Sequence, residues 1–169
     1  KKCVAIGEIG LDYHWMSSIK QVQKEFFEAQ IELAKKLDMP VIVHDREAHG
    51  DTLDILKATK PKGVLHCFSG SREMAREIIK LGMYIGLNGV VTFKNARKSL
   101  EVVKDIPLER LVLETDCPYL APEPYRGKRN DSSYIPFVAE KIGEVLSIPA
   151  QEVLDITYQN ACCLYKLAK

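Results

Sequence analysis

The feature of this sequence that most limits its fold is a series of five short apolar runs, four of which end at a residue that can bind a metal. The runs are Val4-Ala5-Ile6-Gly7-Glu8, Val41-Ile42-Val43-His44, Gly63-Val64-Leu65-His66, Met83-Tyr84-Ile85-Gly86-Leu87 before Asn88, and Leu111-Val112-Leu113-Glu114-Thr115-Asp116. Their ends lie 36, 22, 22 and 28 residues apart, and each interval has room for a loop, a helix and the next strand. The pattern therefore predicts an α/β protein built from repeated strand and helix units.

Helical patterns fill the intervals between these runs. In the first interval, apolar residues recur at spacings of three and four, and we expect this stripe to pack on the sheet: Ile19, Val22, Phe26, Ala29, Leu33 and Leu37. A later helix is predicted to end near Leu81, because Gly82 follows it and glycine is favoured just past a helix end. Further helices are predicted over 134–146 and 149–167, and a long loop over 117–133.

The composition is typical of a folded, water-exposed domain. Hydrophobic residues make up 46% of the chain, charged residues 28%, and the formal net charge is +1, which excludes a disordered chain and a polyanion-binding surface that covers the whole protein. The five cysteines are odd in number and lack paired spacing, so we expect free thiols in a reducing compartment. Since the sequence has neither a long apolar run nor a signal peptide, the predicted location is the cytoplasm, with no membrane as a partner.

Four residues at the ends of the apolar runs are candidate metal ligands. In a parallel barrel, the side chains at the carboxyl ends of the strands converge on one face, so Glu8, His44, His66 and Asp116 are expected to meet there. A single histidine at a strand end is as often a structural residue, but two at equivalent positions beside two carboxylates favour a metal site. Imidazole and carboxylate ligands suit Zn²⁺, Mn²⁺ or Mg²⁺. A carboxylate can also bridge two ions, an arrangement that activates water against phosphate esters.

Several basic and aromatic residues are candidates for substrate binding near this predicted site. Arg46 lies two residues beyond His44 and is expected to bind a phosphate, or else to form a surface ion pair with Asp45 or Glu47. The loop after Asp116 carries a local basic segment that could hold a phosphodiester backbone, formed by Arg126, Lys128 and Arg129. Aromatic residues in loops at the same end could stack on unpaired bases or cap the barrel: Tyr13, Trp15 and Tyr125.

Together these residues resemble the TatD family of metal-dependent deoxyribonucleases. The resemblance runs in order over nearly the whole chain and includes Gly7-Glu8-Ile9-Gly10-Leu11-Asp12-Tyr13, Leu65-His66-Cys67-Phe68-Ser69-Gly70-Ser71, Gly89-Val90-Val91-Thr92-Phe93-Lys94 and Leu113-Glu114-Thr115-Asp116. It implies a distorted TIM-type metallohydrolase barrel that hydrolyses DNA, commonly as a 3′ to 5′ exonuclease on single strands. It also implies that Glu8 is shared by two metals, that His44 and His66 bind one of them, and that Asp116 binds the other and acts as the base for the attacking water.

The sequence departs from the family pattern at its beginning. The family's first strand bears a His-x-His pair, which this sequence does not contain. Because a barrel of this type has about 250 residues, we expect residues 1–169 to be the C-terminal two thirds of one barrel domain, an N-terminally truncated form with about five of the strands. One potential three-ligand site then remains, formed by Glu8, His44 and His66, while the other is reduced to Asp116 with help from Glu8.

Two other functions and one assembly state follow from the same sequence. The chain could belong to another hydrolase of this barrel superfamily that cleaves an amide or ester, although such enzymes often use a modified lysine where this chain has Glu8. It could also be a non-catalytic module for nucleic-acid binding or assembly. Five strands cannot close a barrel that needs about eight, so we expect either self-association through the open edge or a longer chain of which these residues are a part. The inward face should then expose Val4, Ile6, Ile42, Val64 and Val112.

Overall fold

The computed structural model describes residues 2–167 and contains five parallel strands that alternate with helices. The strands are β1 (Ile6–Asp12), β2 (Val41–Arg46), β3 (Gly63–Leu65), β4 (Tyr84–Leu87) and β5 (Leu111–Leu113). The main helices are α1 (Lys20–Lys36), α2 (His49–Thr59), α3 (Arg72–Lys80), α4 (Arg97–Asp105), α5 (Ile135–Leu146) and α6 (Ala150–Tyr165). The strands pair in the order of the sequence, β1-β2-β3-β4-β5, and every pair is parallel. The predicted α/β fold of TIM type, with five strands in this chain, is confirmed.

The main hydrophobic core lies between one face of the sheet and the helices that follow each strand. Because successive side chains of a strand point to opposite faces, Val41 and Val43 pack in this core, whereas Ile42 and His44 face the other, concave side. Helix α3 ends at Lys80 with Leu81 as its C-cap, and Gly82 follows with φ of 84°, which confirms the predicted helix end near Leu81. The positions of α5, α6 and the long loop between β5 and α5 also agree with the sequence prediction.

The predicted packing of the first helix is wrong. Helix α1 buries Phe27, Ile31 and Ala34, while the residues predicted to pack on the sheet face solvent, including Phe26 at 66% exposure and Leu33 at 47%. The helix carries two apolar stripes with the same spacing, and periodicity reports the spacing of a stripe without saying which stripe meets the sheet. The exposed stripe lies on the helix that follows the edge strand β1. Self-association through this edge stays a prediction.

The predicted exposure of the concave face is also wrong over part of the sheet. Val64 and Val112 are only 1% and 4% exposed, because Leu164 near the end of α6 packs against them. The Asn160 side-chain amide holds α6 in this position by donating to the carbonyl oxygens of Leu108 at 2.8 Å and Leu111 at 2.7 Å. The last helix therefore covers the concave side of the sheet next to β3 and β5.

Across residues 2–167, none of the helices is long and apolar enough to span a membrane.

Candidate metal centre

Glu8 reaches the concave face from the middle of a strand. The prediction that its strand ends at Glu8 is wrong, because β1 continues to Asp12 and its register against β2 shifts between Ile6 and Ile9. Beyond this irregularity Gly10 pairs with His44, and Gly10 has φ of 144°. A Cβ atom at this position would collide with the backbone carbonyl of His44. The glycine thus permits the close strand pairing that holds His44 beside Glu8.

Three of the four predicted metal ligands lie together. The Glu8 Oε1 atom is 2.9 Å from His44 Nδ1 and also contacts His66 Nε2. One ligand atom from each of the three residues lies within 4.8 Å of the other two. Asp116 is half-buried and lines the same cleft. The spacing of the apolar runs therefore predicted a juxtaposition that the structure contains, while the metal-binding roles of these residues stay predictions.

Each of the two histidines also has a second carboxylate neighbour. His44 Nε2 lies 3.1 Å from Asp12 Oδ2, and His66 Nδ1 lies 3.5 Å from Glu114 Oε2. Glu114 is itself held by the backbone N–H of Cys67, which donates to Glu114 Oε1 at 2.6 Å. A carboxylate on the far nitrogen of a metal-binding histidine fixes the ring orientation and its tautomer.

Asp12 and Glu114 were not predicted as site residues, although the sequence contains a signal for each. Asp12 is four residues beyond Glu8, so an uninterrupted strand would place both side chains on one face. Glu114 is likewise two residues before Asp116. The prediction that β1 ends at Glu8 placed Asp12 in a loop, whereas Asp12 is the last residue of the strand.

The charges of this cluster depend strongly on one another. The close contacts of His44 and then His66 hold the pKa of Glu8 far below its usual range, and the Glu8 carboxylate is the main cause of the raised pKa of His44. Burial lowers the pKa of His66, but Glu114 and Glu8 outweigh burial and raise that pKa to about 10. Burial, the largest cause, raises the pKa of Asp116. At neutral pH, without metal, the cluster therefore holds an ionised Glu8 beside a protonated His66.

The cluster fits a divalent cation. The Nε2 atom of His66 is buried and, despite its contact with Glu8, has no hydrogen bond of acceptable geometry. Two imidazoles and a carboxylate are a common ligand set for divalent metals. Glu8, His44 and His66 could therefore hold one ion, with their second carboxylate neighbours orienting the rings.

Metal binding by these residues should release protons, since a histidine must be neutral to bind a metal. The pKa of His66 is raised to about 10, so the apparent affinity for Zn²⁺ or Mn²⁺ is expected to increase as pH rises from about 6.5 toward 10. Calorimetric titrations of the metal in buffers of different ionisation enthalpy measure the number of protons released. We expect at least one proton per ion at pH 7, and metal binding with no proton release would contradict the assignment of His66.

The cluster faces an open cleft of about 670 Å³ that contains some of the predicted substrate-binding residues. Arg46 and Trp15 line this cleft, with the Arg46 guanidinium 5.5 Å from the centre of the Trp15 ring. The ion pairs considered for Arg46 are not formed within residues 2–167, because Glu47 bonds His14 at 2.8 Å and Asp45 bonds His49 at 2.7 Å. Arg46 is therefore exposed and available to an anion in the cleft.

The other predicted substrate-binding residues lie outside the lining of this cleft. The Tyr13 hydroxyl donates to Asp51 Oδ2 at 2.6 Å, and its ring packs against the core. In the basic loop, the Arg126 guanidinium lies 4.2 Å from the Phe93 ring centre. Lys128 and Arg129 are exposed on the same loop.

Comparison with known proteins agrees with this fold, an α/β barrel type in which three candidate metal ligands lie together at the carboxyl ends of parallel strands. Residues 1–166 match the family described as TatD related DNase. The chain therefore belongs to the TatD family of metal-dependent hydrolases.

Relatives and solved structures of this family match almost the whole chain. It is 51% identical to the uncharacterized metal-dependent hydrolase YabD of Bacillus subtilis, covering 99% of this chain and 67% of the relative. It is 42% identical to the uncharacterized metal-dependent hydrolase YcfH of Escherichia coli, covering 97% and 63%. The crystal structure of YjjV, a TatD homolog from Escherichia coli, has a TM-score of 0.91 at 33% identity and covers 99% of this chain and 65% of that one. This chain spans about two thirds of the length of these proteins.

Proposed function

We propose that the protein hydrolyses phosphodiester bonds in DNA with the help of divalent metal ions, and that it acts on single strands as a 3′ to 5′ exonuclease. The observation that carries this proposal is the cluster of Glu8, His44 and His66 in an open cleft that also holds Asp116 and Arg46, which has no ion pair with an acid in residues 2–167. A divalent ion bound there would lower the pKa of water and stabilise negative charge on a phosphoryl oxygen. The family membership supports the same chemistry.

The residues of this chain have separate roles in the proposed reaction. Glu8, His44 and His66 would hold one ion, and Glu8 with Asp116 would contribute to a second. Asp116 accepts a proton from the attacking water, and its raised pKa makes it a stronger base than an ordinary aspartate. Arg46 binds a phosphate of the substrate through its planar guanidinium.

Hydrolysis of an amide or ester is the second candidate, but the site offers less support for it. The position that would bridge two ions is occupied by Glu8, and no lysine lines the cleft among the residues that the structure describes. The unpaired arginine in the cleft is better suited to a phosphodiester.

The test of the proposed function is digestion of a single-stranded oligonucleotide labelled at its 5′ end. With Mg²⁺, Mn²⁺ or Zn²⁺ present, we expect a ladder of labelled products that shortens from the 3′ end. A chelator should stop the reaction. The same assay on an RNA oligonucleotide measures the preference for deoxyribose over ribose. Release of the labelled terminal nucleotide first would contradict the direction, and cleavage of aryl esters without cleavage of DNA would favour the second candidate.

Replacement of Arg46 with glutamine should weaken substrate binding more than turnover. Glutamine keeps hydrogen-bonding capacity but loses the charge that binds the phosphate, so we expect a higher KM and a kcat within a few-fold of the original. The slope of the logarithm of substrate affinity against the logarithm of salt concentration should fall by about one. Steady-state kinetics at several salt concentrations measure all three quantities.

Arg72→Gln is the matched control for this variant, because Arg72 is exposed on α3 and pairs with the neighbouring Glu73 at 2.9 Å, away from the cleft. If the two variants have equal KM values, Arg46 is not a phosphate ligand.

A further inference from the structure

A second cavity opens beside the metal cleft. Its volume is about 450 Å³, and it shares Cys67 and Ser69 with the cleft that holds Glu8, His44 and His66. A cavity of this size lies within the range of small-molecule sites in proteins. A ligand that enters the cleft can therefore continue into this cavity without leaving the protein surface.

The walls of this second cavity combine aromatic rings with positive charge. Phe68 and Phe93 contribute apolar surface, and Arg97 and Lys98 from the start of α4 stand exposed at its border. The Arg126 guanidinium is not part of the cavity lining, but it lies 4.2 Å from the centre of the Phe93 ring and brings a third positive charge close to the cavity. An apolar cavity with positively charged side chains at its border is suited to a ligand that carries both a flat ring and a negative group.

The charges at this border are only partly neutralised by the protein. Arg97 pairs with Glu101 at 3.0 Å. Lys98, in contrast, has no ion pair with any acid in residues 2–167, and neither has Arg126. The side chains of Lys98 and Arg126 are exposed, so their charges are free to bind an anion that extends from the cleft.

We propose that this cavity binds a nucleotide next to the scissile phosphodiester, with its base against Phe93 and its phosphate between Lys98 and Arg126. This inference rests on the proposed function, because it places one more nucleotide of the same single-stranded DNA. Stacking on an aromatic ring accepts any base, so the cavity selects for an unpaired strand without selecting a sequence. It also gives Arg126 a role, although Arg126 lies outside the metal cleft.

The test measures binding of a fluorescein-labelled single-stranded hexathymidylate by anisotropy, in an Asp116→Asn background with Mn²⁺ so that the DNA is not consumed. Phe93→Leu should weaken binding by at least about fivefold, because leucine fills the space but cannot stack on a base. Lys98→Gln should lower the salt slope by about one. Lys104→Gln, at the exposed far end of the same helix, is the control and should change neither quantity.

An abasic residue placed in turn at each of the three positions nearest the 3′ end identifies the nucleotide that occupies the cavity. At one position the abasic DNA should bind more weakly to the parent protein, and Phe93→Leu should then cause no further loss. Circular dichroism of each variant verifies that it is folded.

Different results would contradict the nucleotide-binding cavity and the proposed DNA hydrolysis. If Phe93→Leu acts independently of the abasic residue at all three positions, or if Lys98→Gln behaves like Lys104→Gln, the cavity does not bind a nucleotide. Should the protein with Asp116 intact still digest DNA in that case, the proposed function survives and only this inference falls. Absence of both binding and digestion would overturn the two together.

Discussion

Replacement of Asp116 with asparagine is expected to reduce hydrolysis of DNA by about 10²- to 10⁴-fold, the range typical of a lost general base. Asparagine keeps the shape of the side chain, but it can neither accept the proton of the attacking water nor contribute negative charge to a metal. The Asp116 side chain is half-buried beside the cluster, where burial raises its pKa. Its carboxylate makes no ion pair in the part of the chain that the structure describes, so the fold should be retained.

The measurement is kcat at saturating metal and substrate, together with the melting temperature. Asp54→Asn is a suitable control, because Asp54 is an exposed residue on α2 and loses the same charge away from the cleft. We expect the control to keep its activity and both variants to keep their melting temperatures within a few degrees. Full turnover by Asp116→Asn would remove Asp116 from the mechanism, and a large drop in melting temperature would assign it a structural role instead.

Replacement of Glu8 with glutamine should have the largest effect on metal binding. Loss of a carboxylate that only orients a metal ligand commonly lowers metal affinity by 10- to 100-fold, so loss of the ligand itself is expected to lower it by more than about 100-fold. The Glu8 carboxylate contacts both His44 and His66. The substitution therefore removes one proposed ligand from the site. It also removes the negative charge that lies beside both imidazole rings.

The same substitution has an effect that can be measured without metal. Because Glu8 raises the pKa of both histidines, the pKa of His44 and that of His66 should fall in the glutamine variant, which histidine titration by NMR would detect. His66 keeps Glu114 as a neighbour, so its pKa should stay above the ordinary value. Glu47→Gln is the matched control, since Glu47 bonds His14 and does not touch the cluster. Unchanged metal affinity in Glu8→Gln would show that the three residues do not form one site.

The sequence was sufficient to predict the order of strands and helices and the meeting of three site residues. Alternating apolar and polar segments specify a parallel sheet, and equal positions at the ends of neighbouring strands bring His44 and His66 to one edge. Asp12 was missed because β1 was predicted to end at Glu8, whereas the strand continues to Asp12 beyond a register shift between Ile6 and Ile9.

The packing of the helices was harder to predict, because it depends on what each face meets after folding. Helix α1 has two apolar stripes, and the position of the neighbouring strands decides that Phe27 is buried while Phe26 is exposed. Likewise, the cover that Leu164 provides over Val64 and Val112 depends on where α6 returns to the sheet. Both outcomes involve residues far apart in the sequence, which local patterns do not report.

The close pairing of Gly10 with His44 implies that a residue with no catalytic or metal-binding group can be as intolerant of substitution as the proposed site residues. Any side chain at Gly10 meets the carbonyl group of His44, so the two strands must separate and His44 must leave its place beside Glu8. Gly10 thus acts as a spacer, because its missing side chain allows His44, a proposed metal ligand, to lie beside Glu8. In a screen of random variants, Gly10 would behave like a ligand residue although it has no side chain with which to bind anything.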